Sequence, residues 1–191
     1  MLPTMYLLNS SYPTAFCGHR MDWLSRYVLS WSLSNTMESE FCIRAWEQAL
    51  AEAGRAPLIS NTDQGSQFTS PGYIDAVQSA GVEVSMDGRG RWMDNRLIER
   101  LWRGVKYEDV YPNDYGDGLA AGRGLRRWFD DYNQIRPHQS LGNATPEEWY
   151  RSPERARTFG ACNQTAFGGM KKNLQKRRGR AAGPWVGCSL F

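Results

Sequence analysis

A mixed α/β domain is the fold class this sequence predicts, and three observations predict it. Apolar residues alternate from Arg26 to Leu33, and a helical stripe follows at Ile43, Trp46 and Leu50. A short apolar run, Pro57 to Ser60, comes next. Strand, helix, strand in that order needs a crossover connection, which a sheet with parallel neighbours supplies. A hydrophobic content of 41% with 13% aromatic residues is enough for a packed core, and 191 residues allow one ordinary domain plus an appendage.

In chain order, residues 1–20 are left unassigned, a degraded first strand being one reading. Met5 to Leu8 reads as a short strand and Ser10 to Thr14 as a turn around Pro13. Met21 to Ser25 is either the turn of a hairpin or the end of a preceding strand. Asn35 followed by Glu38 predicts a helix start, because the side chain of the first can take up a free backbone N–H of the first turn. Ile43, Trp46 and Leu50, with Ala49 and Ala53 beside them, then face the core, and Gly54 stops the helix. The strand after it ends at Asp63. A second helix covers Pro71 to Ser79, and Val82 to Met86 alternates as a further strand.

The helix bearing Glu99 is expected to start at an Asp94 or Asn95 cap and to bury Ile98, Leu101, Trp102 and Val105, an i, i+3, i+4, i+7 set. Another helix, Leu119 to Ile135, buries Leu125, Trp128, Phe129 and Tyr132, and Pro137 ends it. Thr145-Pro146-Glu147-Glu148 is a capping box with proline at the first helical position.

Charge is unevenly placed. Residues 151–191 hold nine Lys/Arg against one acid, so the remaining 150 residues carry fourteen against nineteen. Binding of a polyanion by the main domain therefore depends on local clusters rather than on an overall positive field. The segment 151–191 reads as a basic flexible, disordered tail. No apolar run is long enough to span a bilayer, and no signal peptide is read. The four cysteines, Cys17, Cys42, Cys162 and Cys188, lack metal-ligand spacing and fit reduced thiols.

Chemistry is concentrated between Asn61 and Lys106. Asp63 ends a buried strand at a turn, where open α/β sheets place their ligand sites. Glu99, separated from it by thirty-five intervening residues, lies beside the apolar stripe of its helix. Taken singly, Asp63 is a turn cap and Glu99 is half of an i, i+4 pair with Arg103. Together they suit Mg²⁺ or Mn²⁺, which take carboxylate oxygens and leave room for phosphate. Arg103 and Lys106, at i+4 and i+7 from Glu99, are expected on its face as DNA contacts. The loop before the helix adds Arg89, Arg91 and Trp92, which offer phosphate contacts and a stacking surface. His138 reads as packing, and His19 has no partner in the pattern.

Four ordered motifs, Asn-Thr-Asp-Gln-Gly-Ser-Gln-Phe-Thr-Ser (61–70), Met-Asp-Gly-Arg-Gly-Arg-Trp-Met-Asp-Asn (86–95), Ile-Glu-Arg-Leu-Trp-Arg-Gly-Val-Lys-Tyr-Glu (98–108) and Arg-Pro-His-Gln-Ser-Leu-Gly (136–142), resemble insertion-sequence transposases of the retroviral-integrase-core superfamily. The resemblance covers about residues 21–150. It implies a ribonuclease H-like catalytic core, a mixed sheet with flanking helices. It also implies Asp63 and Glu99 as the second and third members of an Asp-Asp-Glu metal triad, with Mg²⁺ (or Mn²⁺) as cofactor. The activity implied is metal-dependent cleavage at element ends followed by strand transfer to target DNA. The partners implied are DNA and further copies of the chain, in a bacterial cytoplasm and on the nucleoid when DNA is bound. This sequence departs from the family pattern at the first triad member, since residues 1–21 contain no carboxylate. Asp22 is the one nearby substitute. The alternative reading is a non-catalytic transposase remnant that binds DNA or intact transposase.

Overall fold

The computed structural model describes residues 16–36, 38–62, 65–86, 92–152 and 187–189, with the backbone alone at residues 16, 92–96 and 187–189. Five strands form one sheet in the order β2-β1-β5-β3-β4. β1 (Phe16–Asp22) and β2 (Val28–Ser34) are an antiparallel hairpin, which settles Met21-Asp22 as a strand end and the residues after it as the turn. β3 (Ile59–Thr62) and β4 (Glu83–Met86) run parallel. β5 (Gly187–Ser189) lies between the two pairs, antiparallel to β1 and parallel to β3. Of the segment expected as a tail, these three residues are strand, and 153–186 and 190–191 lie outside the described residues, as do 1–15.

Successive strand residues point to opposite faces, and the two faces are separately covered. Arg20 and Ser30, paired across the hairpin, meet α1 (Glu40–Ala53): the Ser30 hydroxyl donates to the Ala45 carbonyl at 2.5 Å. Their neighbours His19 and Trp31 face the other way. His19 packs on Trp102 of α3 (Trp92–Gly104), and Trp31 stacks on Phe129 of α5 (Gly118–Gln134) at 5.6 Å. Helices therefore flank a central sheet, as the alternation of strand and helix predicted. The predicted stripes of the later helices are buried, Ile98, Leu101, Trp102 and Val105 around α3 and Leu125, Trp128, Phe129 and Tyr132 in α5; in α1 Trp46 and Ala49 are buried, while Ile43 and Leu50 are half-buried at the margin of the core.

At Arg20/Met21 the hairpin register slips and Leu29 is passed over. Such an irregularity leaves backbone groups without ladder partners. Asn133 of α5 fills the gap, its Oδ1 accepting from Val28 N–H and its Nδ2 donating to the Val28 carbonyl, both at 2.9 Å. This amide also ties α5 to β2.

α2 (Pro71–Ser79) opens on Ser70, whose hydroxyl accepts from Tyr73 N–H, and matches its predicted span. α6 (Pro146–Arg151) carries the predicted capping box at Thr145 and Glu148. Two starts differ from expectation. α1 begins at Glu40 after Ser39, not at Asn35, because the first residues able to bury on the sheet are Phe41 and Cys42. α3 begins at Trp92, so Asp94 and Asn95 lie inside it rather than capping it. After Gly104 the helix widens into a π-helical turn, Val105–Val110, and then α4 (Tyr111–Asn113). No helix among the described residues is long and apolar enough to cross a membrane.

Candidate functional site

Glu99 stands exposed on α3, one residue after the buried Ile98. The buried stripe fixes the helix on the sheet and leaves the carboxylate at the wall of an open cleft of about 1330 Å³. Arg100, Arg103 and Tyr107 share that wall. The β1–β2 turn contributes Arg26, α5 contributes Trp128 and Tyr132, and the segment after α5 contributes Arg136 and His138. The i, i+4 pair between Glu99 and Arg103 is not formed. Arg103 stands over the Tyr107 ring at 5.9 Å, and no ion pair engages Glu99 among the described residues.

Of the other residues singled out in the sequence, Asp63, Arg89 and Arg91 lie outside the described residues. Trp92 opens α3, its side chain outside the description. β3 ends at Thr62, the residue before Asp63. Lys106 does not line the cleft that holds Glu99 and Arg103. The wider i→i+5 winding begins at Val105 and advances each residue by a smaller angle, so the α-helical spacing that predicted a shared face stops just before Lys106. Among the described residues no three His, Cys, Asp or Glu side chains form a metal-holding group.

Asp22 is 3% exposed at the hairpin turn. Its Oδ2 accepts from Ser25 N–H at 2.9 Å and from the Ser25 hydroxyl at 2.6 Å. Burial raises its pKa, and the bonds from Ser25 oppose that shift. In this arrangement Asp22 holds a turn.

Arg26, Arg100 and Arg136 are the cations of the cleft that sequence reasoning missed. Arg26 has a left-handed backbone, φ 66°, which costs a non-glycine residue about 1–2 kcal/mol. The turn imposes it: Arg26 N–H donates to the Asp22 carbonyl and Asp22 N–H to the Tyr27 carbonyl, both at 2.8 Å. Its guanidinium Nε and Nη1 are buried and have no hydrogen-bond acceptor among the described residues. Burial lowers its pKa, and Tyr132 and Asp22 partly offset that. Arg136 is differently placed. Its two terminal nitrogens bind both oxygens of Glu108, Trp128 Nε1 donates to the same carboxylate at 3.1 Å, and the guanidinium covers the Trp128 ring at 5.4 Å. The hydrogen bond from Arg136 holds Glu108 below the usual carboxylate range. His138 packs edge-on against Tyr132 at 4.9 Å, as the packing reading expected, and burial followed by Arg136 lowers its pKa. The only hint of this in the sequence was the Arg-Pro-His motif itself.

Two family profiles, each described as an integrase core domain, match residues 9–91 and 80–146. The transposase for insertion sequence element IS904 of Lactococcus lactis is 28% identical over 150 residues, covering 78% of this chain and 59% of that protein. The transposase for IS629 of Shigella sonnei is 27% identical over 128 residues, covering 67% of this chain and 43% of that protein. The chain thus spans about half the length of the curated relatives it matches. Among solved structures, the HTLV-2 integrase catalytic core domain in complex with magnesium superposes with a TM-score of 0.61 at 20% identity, covering 76% of this chain and 90% of that one. A chain of the simian T-cell lymphotropic virus intasome, solved with a PP2A regulatory subunit, gives 0.66 at 18% identity over 80% of this chain and 58% of that one.

Proposed function

Since the chain belongs to the integrase-core superfamily of insertion-sequence transposases, we propose that it is a catalytic core for DNA cleavage and strand transfer at insertion-sequence ends. The observation that carries this reading is Glu99, a carboxylate without an ion-pair partner among the described residues, on the wall of a cleft lined by arginines. Asp63, one residue past the end of β3, and Glu99 are the residues that would hold Mg²⁺ (or Mn²⁺). Divalent ions so held supply charge that activates an attacking hydroxyl and stabilises a leaving oxygen at phosphorus. The donor set fits hard cations, being carboxylate oxygen, while the imidazole that lines the same cleft, His138, is packed edge-on against Tyr132.

The chain's own residues supply positioning. Arg103, at i+4 from Glu99, offers its guanidinium to the phosphate next to the scissile one. Arg89, Arg91, Trp92 and Lys106 are proposed as further DNA contacts, the indole stacking on a base. Burial of Ile98, Leu101 and Trp102 keeps α3 rigid, so Glu99 is held in place before DNA arrives. The working form is proposed as a homo-oligomer on DNA in the bacterial cytoplasm.

One observation favours a second reading. Asp22, the sole carboxylate before Glu38, is buried and engaged by Ser25. On that reading the triad lacks its first member within this chain, and the protein is a remnant that binds DNA or intact transposase. A strand-transfer assay with Mg²⁺ and the end sequences of the element separates the two. Turnover abolished by Asp63→Asn and by Glu99→Gln supports the enzyme. Absence of turnover in the unaltered protein, with DNA still bound, supports the remnant.

A further inference from the structure

The geometry points to Arg136 and Glu108 as positioning residues for the wall that carries Glu99. Together with Trp128 they hold the wide turn after α3 in the winding that sets Tyr107, and not Lys106, over Arg103, and so leave the Glu99 carboxylate unpaired. The inference rests on the catalytic reading of Glu99 above and names what keeps that carboxylate available.

Uninterrupted α-helical winding would build a different wall. Lys106 would lie about 20° from Glu99 around the helix axis, and Arg103 about 40° to its other side. Two cations flanking one carboxylate on a helix face close on it. Neither does so here. Lys106 is half-buried and lies outside the cleft, Arg103 stands over the Tyr107 ring at 5.9 Å, and no ion pair engages Glu99 among the described residues.

The winding makes the difference. Tyr111 N–H donates to the Lys106 carbonyl, five residues back, so each residue from Val105 onward advances by less than in an α-helix. Lys106 is thereby turned off the wall, while Tyr107 and Glu108 are brought to it.

Three contacts converge on Glu108. Both terminal nitrogens of Arg136 bind its carboxylate, Trp128 Nε1 donates to it at 3.1 Å, and the guanidinium lies over the Trp128 ring at 5.4 Å. The edge of that indole rests on Gly104, where an added Cβ would lie 3.0 Å from the ring and 3.7 Å from the Glu108 carboxylate. A bare backbone at the last α-helical residue therefore lets Trp128 and Glu108 close over the point where the winding changes. On the other side Asp109 accepts from the Tyr115 hydroxyl at 2.7 Å, and its carbonyl from Asn113 Nδ2 at 2.7 Å, which ties down the end of the turn. Arg136 and Glu108 are 41% and 44% exposed, so their ion pair adds little to global stability. Its consequence is direction: without it residues 105–110 can return to α-helical winding and carry Lys106 toward Glu99.

The test is zero-length crosslinking of the free protein, without DNA or metal, by a water-soluble carbodiimide, which joins a carboxylate to a neighbouring ammonium. Mass spectrometry of the peptides reads the Glu99–Lys106 amide. Arg136→Lys keeps the charge but cannot fork, and Glu108→Ala removes the acceptor. Each should raise the amide yield about threefold as the population of windings shifts. Arg44→Gln, on the exposed side of α1, should leave it unchanged. Strand transfer with Mg²⁺ is the second readout. Both variants are expected to lower kcat about tenfold while KM for the DNA stays within about twofold, the pattern of a misplaced group rather than of lost binding. Tyr107→Phe should retain more kcat than Tyr107→Leu, since the ring alone holds Arg103. Unchanged crosslinking in Glu108→Ala overturns the proposal even if Arg136→Lys does not fold. Raised crosslinking with kcat unaltered leaves a brace that positions nothing, and overturns it as well. If the unaltered protein transfers no strand, the catalytic reading fails, and the amide yield still decides whether Arg136 and Glu108 set the winding.

Discussion

The imidazole of His19 stands edge-on to the indole of Trp102, ring centroids 4.8 Å apart and planes at 90°. His19 is 2% exposed, and neither of its ring nitrogens is hydrogen-bonded among the described residues. Through this contact the middle of β1 seats the helix that carries Glu99. Burial, followed by the charge of Arg20, pushes the pKa of His19 down to about 3, so the ring is neutral in the folded protein.

A pH dependence follows from that neutrality. Between the folded value of about 3 and the unfolded value of 6.5, the unfolded chain binds the extra proton, so stability falls as pH falls. The loss from this group reaches about 2 kcal/mol by pH 5. Asp22, whose carboxyl is raised by burial, contributes with the opposite slope. Urea denaturation of the protein and of His19→Leu at pH 7 and pH 5 isolates the histidine. The difference between the two proteins should shift toward the variant at the lower pH, and a constant difference would refute the assignment.

Arg20 provides a second test. Its guanidinium is buried among Trp46, Phe68 and Tyr73, at 5.7, 5.7 and 5.2 Å from their ring centres, and donates to the Tyr73 hydroxyl at 2.7 Å. A hydrogen bond to a charged group is worth about 1.5–3 kcal/mol. Tyr73→Phe should therefore lose about that much in thermal or urea unfolding, with α1 and α2 loosened together. Arg20→Met, which removes the charge and keeps the bulk, should cost less than Arg20→Ala.

The amide of Asn133 should be worth more than either of its bonds alone. Asn133→Ala leaves a buried N–H and a buried C=O of Val28 without acceptor and donor, a cost of about 2–4 kcal/mol. Gln48→Ala, on the exposed side of α1, should cost almost nothing by the same urea measurement.

Gly124 is required by contact. A Cβ at that position would overlap the Tyr115 hydroxyl, which donates to Asp109 at 2.7 Å. Gly124→Ala should displace the tyrosine and lower stability by about 1–3 kcal/mol. Combined with Tyr115→Ala, the double variant should be less unstable than the two single losses added, and strict additivity would contradict the contact.

Legibility in the sequence followed how local each cause was. α2 and α6 were readable to the residue because Ser70-Pro71 and Thr145-Pro146 carry their start signals within one turn. The start of α1 was misplaced because Asn35 and Glu38 mimic such a signal, while burial of Phe41 and Cys42 decides where the helix engages the sheet. Glu99 could be found from its place beside an apolar stripe. Arg26 could not, since its strain and its empty donors arise from a turn geometry that no spacing records. The widening after Gly104 was equally hidden, and it is what separates Lys106 from Arg103. β5 was unreadable for another reason. Gly-Cys-Ser has no alternation, and its partners lie more than a hundred residues away in the chain.

That last strand sets the order in which the protein can be built. Among the described residues, the hairpin β1–β2 and the parallel pair β3–β4 are joined by ladder bonds only through Gly187–Ser189. A chain emerging from the ribosome can pair each half early, but it cannot knit them until residue 187 is free of the exit tunnel. Until then two open sheet edges face each other, available to any extended segment nearby.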